Sequence, residues 1–278
     1  LLVDNVNKIT IDSVLNFKYN IISMAFLKQF TLFLYSTKYL RFNTSTKCNK
    51  LFSCGAVPTS NVFMYFIISE TIHPNIKTSK HQHITLISLN RPDDKNSLNV
   101  ETLYDLRKAV TNFENDSSST VAVLYGEGGS FCAGMDSNEL SNAPQIFNEF
   151  LQSHCQKPII AAVSGFAYNA GFDLCLWCDL RIVEENAVMA IDRKLKTSKS
   201  EMSFKRLLKS VGYSRTMDIL LTGRDVHSKE AFECGLANRV VACGSSVGQA
   251  VLMAFNISKF PQKSINDDRN VIHKMVSE

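Results

Sequence analysis

Short apolar runs alternate along the chain with stretches whose apolar positions recur at helical spacing. Tyr65–Ile72 and His83–Asn90 are rich in β-branched residues and predict two strands, joined by a polar turn around Pro74–Lys80. A loop of turn formers, Asn90–Asn99, follows. Val100–Phe113 has apolar residues at 103, 106, 110 and 113, which bury one face of a helix. Val121–Tyr125 predicts another strand; Ser137–Ala143 is polar, and Pro144–Cys155 predicts a helix. Ile159–Val163, bounded by Pro158 and Gly165, suits a strand buried on both faces. Ser164, Gly165, Asn169 and Gly171 then break the pattern, and Leu174–Trp177 resumes in helical register. Leu180–Ile191 is strand and turn, and Arg193–Phe204 is polar and free of glycine. Helices are predicted over Lys205–Val211, over Ser214–Leu221 (closed by Thr222-Gly223), and over Lys229–Cys234 between a Ser228 cap and Gly235. A last amphipathic helix spans Ser246–Phe260 before Pro261. Strands alternating with helices argue for an α/β fold around a parallel sheet.

Two junctions in this pattern carry candidate chemistry. Strand Val121–Tyr125 runs into the glycine-rich segment Gly126–Asp136, and strand Ile159–Val163 runs through a tight turn into a helix start. A helix start presents unpaired N–H groups and the positive end of the helix dipole. Two such junctions can each offer a backbone donor to one carbonyl, which is what an oxyanion hole requires. Asp173 stands in the first turn of the second helix, a position a carboxylate also favours for electrostatic reasons alone.

Composition narrows the classes. The chain has 278 residues, 45% of them hydrophobic and 20% charged, ordinary values for a globular protein. A net charge of +4 is modest and gives no nucleic-acid footprint. Eight cysteines lie scattered, with Cys175-x-x-Cys178 the one close pair, and read as reduced thiols. Neither they nor the six histidines show metal-ligand spacing, so no metal is expected. Met24–Ser69 contains no Asp or Glu but holds Lys28, Lys38, Arg41, Lys47 and Lys50 among hydroxyl residues, the make-up of a mitochondrial transit peptide. Residues 1–64 are therefore expected to be an extension, 65–278 the folded domain, and the mitochondrial matrix its location. No apolar run reaches the ~20 residues needed to span a bilayer.

Five segments carry a family signature: LNRPDDKNSLN at 89–99, GSFCAGMD at 129–136, KPIIAAVSGFA at 157–167, WCDLRIVEENA at 177–187 and LLTGRDVHSKEAFECGLANRVV at 220–241. In these the chain resembles the enoyl-CoA hydratase/isomerase (crotonase) family. The resemblance implies a spiral of ββα units with a C-terminal helical trimerisation region, assembly into trimers or hexamers, and acyl-CoA thioester substrates. It implies no cofactor, since coenzyme A is part of the substrate. It assigns the two oxyanion donors to the backbone N–H groups of Cys132 and Ala170. Ala133, Gly134, Met135 and Asp136 then line the acyl-CoA, and Arg91, Lys95 and Ser97 lie in the loop that meets its nucleotide end. Asp173 falls where hydratases carry one of two catalytic glutamates and is one methylene shorter. The other glutamate has no counterpart near Asp192–Arg193; Glu201 is the nearest candidate. The glycine-rich segment of the family has become KLKTSKSEMSFK, and its Gly-Gly before the catalytic helix reads Asn169-Ala170.

The resulting expectation is a hydro-lyase of enoyl-CoA hydratase type. An enoyl-CoA isomerase, which needs one carboxylate, is the close alternative. A catalytically impaired acyl-CoA-binding relative is the alternative from another class. Cys132 as a nucleophile is a further reading, without a histidine near it in sequence.

Overall fold

In the computed structural model, which describes residues 75–137, 143–191 and 200–277, the chain opens on an antiparallel hairpin of Ile76–His81 (β1) and Ile84–Leu89 (β2). Helix α1 (Val100–Asn115), strand β3 (Val121–Gly126) and helix α2 (Ala143–Gln152) follow. Then come strands β4 (Ile159–Val163) and β5 (Phe166–Tyr168), helix α3 (Ala170–Trp177), and strands β6 (Leu180–Glu184) and β7 (Val188–Ala190). The remainder is α4 (Glu201–Val211), α5 (Tyr213–Thr222), β8 (Val226–His227), α6 (Ser228–Glu233), β9 (Arg239–Val241), α7 (Ser246–Ser258) and α8 (Gln262–Ser277). All described residues belong to a unit spanning Ile68–Glu278.

The predicted parallel sheet is present. Six strands run in the order β1-β2-β3-β4-β6-β9, and every pairing after the first hairpin is parallel. Its central strands are apolar on both faces because both are covered. Val121, Val123, Ile160, Ala162 and Ile182 pack with Ala250 and Ala254 of α7. Ala122, Leu124, Ile159, Ala161 and Val163 pack with Leu103, Leu106 and Phe113 of α1 and with the apolar side of α3. The period-two alternation of a strand is thus hidden in an unbroken apolar run. A second sheet of three strands, β5-β7-β8, sits at the end of β4, where the candidate chemistry lies.

Several boundaries differ from the expectation, each for a physical reason. Pro74–Lys80, read as a turn, contributes most of strand β1; its side chains beyond Ile76 are exposed, as suits an edge strand with lysines. The hairpin turn falls instead at Gln82, with φ of 55°. Phe166–Tyr168, read as part of a turn, is strand β5, and the chain turns at Gly165 (φ 52°). A Cβ at Gly165 would stand 2.4 Å from the Gly129 carbonyl oxygen, so only glycine fits there. Helix α4 begins at Glu201 rather than Lys205, and α8 follows Pro261. Ser228 is the first residue of α6, not its cap; its hydroxyl donates to Glu185 O. The predicted extension 1–64, its transit peptide and strand Tyr65–Ile72 lie outside the described residues, as do 138–142 and Asp192–Arg193.

Helix α8 has no buried residue, so a polar clamp holds it. Arg269 donates to both carboxylate oxygens of Asp179 and to the carbonyls of Cys155 and Gln156. His273 lies 3.1 Å from Asp179 and stacks on His154. Asp179 also accepts from the Ile159 amide at the start of β4. Burial alone would raise the Asp179 carboxyl, but the His273 hydrogen bond and the Arg269 charge outweigh it, leaving the group below its ordinary 3.8. The clamp therefore contributes in full above that pH and is lost as the pH falls toward the folded value. Asp179→Ala is expected to lower stability by about 3 kcal/mol in urea titrations at pH 7, with the difference from wild type shrinking in acid. An unchanged midpoint would contradict this clamp.

Candidate active site

Segment 131–136 lies between the 95–98 loop and strand β5, and its amides divide between the two neighbours. Phe131 N–H donates to Ser164 O (2.8 Å) and Cys132 N–H to Phe166 O (2.9 Å). Ala133 N–H donates to Lys95 O (3.0 Å) and Asp136 N–H to Leu98 O (2.9 Å). In return, Tyr168 N–H donates to Cys132 O and Leu98 N–H to Gly134 O. The segment is in effect an extra strand with a bridge on each side, Cys132 to Ala167 and Met135 to Leu98.

This register corrects one expectation. The Cys132 amide cannot serve as an oxyanion donor, because it is buried and spent on Phe166 O. The amides of the segment with no protein acceptor among the described residues are those of Gly134 and Met135. Gly134 (φ 113°) packs against Tyr168 O and Asn169 Cβ, 3.3 and 3.4 Å from where a Cβ would stand. Ala170 is the first residue of α3, and no protein acceptor among the described residues takes its N–H. Asn169 before it holds φ 50°, ψ −109°, a conformation strained for any residue but glycine. Its amide donates to Ala190 O, which ties the helix start to β7. Gly171 is squeezed hardest: a Cβ there would lie 2.2 Å from the Cys132 carbonyl oxygen. Two sets of unspent amides, 134–135 and the start of α3, thus occupy adjacent backbone segments locked together by hydrogen bonds.

Asp173 lies in the first turn of α3, 5% exposed, with its amide bonded to Asn169 O. Glu201 is not its partner: its side chain is 82% exposed and pairs with Lys205 along the outer face of α4. The inward face of that helix carries Ser203, Arg206 and Leu207. Arg91 is likewise redirected. Its guanidinium bonds Asp94 (2.7 Å), Asp136 (3.0 Å) and Ser97 O (2.7 Å), so it staples its own loop rather than offering its charge outward. Asp136 is held in the same ion pair, and Ser97 serves as acceptor. Lys95 is exposed, with its ammonium 5.4 Å above the half-exposed Phe166 ring; Phe166 carries no signal in the sequence. Ala133 and Met135 are half-buried beside these groups.

The thiols buried around the site, Cys132, Cys175 and Cys178, are inert. Burial pushes Cys132 up to about 12, against smaller opposing effects of the Gly134 carbonyl and Arg91, which removes its nucleophile reading. Cys175 and Cys178 are raised further by the same cause. They and the other cysteines among the described residues are free, and no cluster of metal-ligating groups occurs among those residues. No described helix is long and apolar enough to cross a membrane.

Residues 79–277 match the family model described as enoyl-CoA hydratase/isomerase. A probable mitochondrial enoyl-CoA hydratase of Dictyostelium discoideum is 31% identical over 225 residues, covering 78% of this chain and 79% of that protein. The crystal structure of an enoyl-CoA hydratase from Bacillus anthracis superposes with a TM-score of 0.68 at 28% identity, over 72% of this chain and 82% of the other. That of a monofunctional enoyl-CoA isomerase from M. smegmatis does so with a TM-score of 0.64 at 28% identity, over 74% and 95%. The spiral crotonase architecture expected from the sequence motifs is therefore the fold of this chain.

Two outcomes follow from this geometry. Gly171→Ala must push apart two backbone segments and is expected to destabilise the fold by about 2 kcal/mol, read from the denaturation midpoint; a wild-type midpoint would contradict the close approach. In native protein at pH 8, iodoacetamide followed by peptide mass spectrometry should label the exposed Cys243 and leave Cys132, Cys175 and Cys178 unlabelled. Fast labelling of Cys132 would contradict its burial.

Proposed function

Because the chain belongs to the enoyl-CoA hydratase/isomerase family, we propose that it moves a proton on an acyl-CoA thioester. The Met135 and Ala170 amides would hold the thioester oxygen, and Asp173 would be the base. The observation that carries this reading is the pair of unspent amide sets beside one buried carboxylate. A thioester carbonyl between two such donors acquires enolate character when a proton leaves its α-carbon, and each donor typically stabilises that charge by ~3 kcal/mol.

Isomerisation of a 3-enoyl-CoA to the conjugated 2-enoyl-CoA is the reaction this geometry supports best. Asp173 takes the proton from C2, the electron pair delocalises over the dienolate, and the same carboxyl returns the proton at C4. One carboxyl suffices, and with Glu201 turned to solvent Asp173 is the buried carboxylate at this site among the described residues. Hydration of a 2-enoyl-CoA is the second reading, favoured by the name of the Dictyostelium relative. There Asp173 alone would activate water at C3 and supply the proton to C2. Lys95 is the cation at the rim best placed for a phosphate of the coenzyme. The acid-free basic segment 24–69 supports work in the mitochondrial matrix.

Supplying 3-enoyl-CoA and crotonyl-CoA separately, and following the conjugated thioester by absorbance, distinguishes the readings. Growth of absorbance from the 3-enoyl substrate supports isomerisation, and loss from crotonyl-CoA supports hydration. Binding of both without turnover would overturn the catalytic proposal in favour of an acyl-CoA-binding role. Asp173→Asn is expected to lower kcat by about 10²–10⁴ with KM little changed; an unaffected kcat would remove Asp173 from the mechanism.

A further inference from the structure

Helix α8 is amphipathic in the inverted sense. Val271, Ile272 and Met275 are exposed, while Gln262, Asn266, Arg269 and His273 recur at helical spacing on its half-buried side. With no fully buried residue, the helix gains little from the hydrophobic effect and stays docked through polar groups. Two of these are poorly served. The side-chain oxygens of Gln262 and Asn266 are out of solvent with no hydrogen-bond partner among the described residues, which weakens the docked state. Lys205 and Lys209 of α4 donate to the Ser277 and Met275 carbonyls at the helix end. The hold in the middle is the cluster of Arg269, Asp179, His273 and His154. An element held by a few charged groups and little apolar area can open while the rest of the fold stays closed.

That cluster has limited room for positive charge. The rings of His154 and His273 stack with centroids 4.5 Å apart, and Arg269 Nη2 lies 3.3 Å from His273 Nε2. His154 Nε2 meets Asn270 Oδ1 at 3.3 Å. Protonating both rings would set three cations side by side next to Asp179. The remaining groups around His154 are occupied elsewhere. Glu114 and Glu149 line a groove with it, but Glu114 accepts from the Gln156 amide and Glu149 from Gln145, and Arg107 lines the same groove. Lys157 donates to three carbonyls at the end of α1, and Arg206 of α4 donates to Ser153 O. Cys155 is a neutral thiol, pushed by burial up to about 12. Lys263, Asp267, Asp268 and Lys274 of α8 itself are exposed. Burial and the facing His273 ring hold His154 below its ordinary 6.5, outweighing the Asn270 hydrogen bond and the charge of Asp179.

We propose that α8 is a proton-operated clasp: its docked position requires a neutral His154, and a proton taken up by that ring in mild acid frees the helix while the sheet stays folded. The sign follows from linkage. A histidine whose docked value lies below its free value favours docking above the free value, and that advantage is lost as the pH falls through 6.5 toward the docked one. Asp179 lies below 3.8, so it stays ionised throughout this window and its pair with Arg269 does not titrate there.

The test is amide hydrogen exchange of the full chain at pH 7.5 and 5.5, read as protection factors so that the intrinsic pH dependence cancels. Peptides covering 262–277 should lose protection several-fold, up to about tenfold for one linked proton, while peptides of β3 and β4 keep theirs. His154→Phe retains a ring to stack on His273 but cannot take a proton, so its α8 protection should be the same at both pH values. Unchanged protection of 262–277 in the wild type would overturn the proposal, as would a loss that β3 and β4 share. A loss that persists in His154→Phe would overturn it too, by placing the proton elsewhere. Where the phenylalanine variant fails to fold, His154→Gln carries the same comparison.

Discussion

Everything proposed for this site depends on how closely segment 131–136 is held against β5 and the start of α3. The hold is made of backbone. Cys132 exchanges hydrogen bonds with Phe166 and Tyr168, and Gly171 lies so near the Cys132 carbonyl that no side chain fits between. Because the contact is main chain to main chain, its register decides which amides are consumed and which remain. Four of the six amides of segment 131–136 find acceptors among the described residues, and those of Gly134 and Met135 do not. The strained Asn169 turn on the other side does the same for the first amides of α3. A structure that stores backbone strain beside unspent donors has the preorganisation that charge stabilisation needs.

The electrostatics of the site come from helix ends and from two buried charges of opposite sign. Asp173 sits in the first turn of α3, where the helix dipole favours a carboxylate, and Arg206 is buried on α4, which packs against α3. The far end of α3 is arranged in the converse sense. Arg181 takes up the carbonyls there, and Asp179, just beyond, anchors α8 through Arg269. Helix α3 is thus fixed at both ends by charged groups, and its eight residues are all buried.

Much of this was legible in the sequence, and the failures have common causes. The apolar runs of β3 and β4, the spacing of α1 and the five family segments pointed to the right architecture because burial on both faces leaves an unmistakable run. At the first junction the amide expected to be free, that of Cys132, is spent on Phe166 O, while those of Gly134 and Met135 have no acceptor among the described residues. Which amide of a loop is free depends on hydrogen-bond register, and register leaves no trace in residue type. The same limit applies to Glu201 and Arg206. Five places apart on one helix, they differ by about 140° in direction, and without the helix start at Glu201 its inward face could not be chosen. Strand β1 escaped because an exposed edge strand has polar side chains on both faces and reads as a turn.

The central claim is that one thioester oxygen is held by two main-chain donors, one from each segment. The most direct measurement is a crystal structure of the protein bound to an unreactive acyl-CoA thioester. The account predicts the thioester oxygen about 3 Å from both the Met135 and the Ala170 amide nitrogens, with the α-carbon facing Asp173. A thioester oxygen bound elsewhere, or held by one of these amides alone, would contradict it.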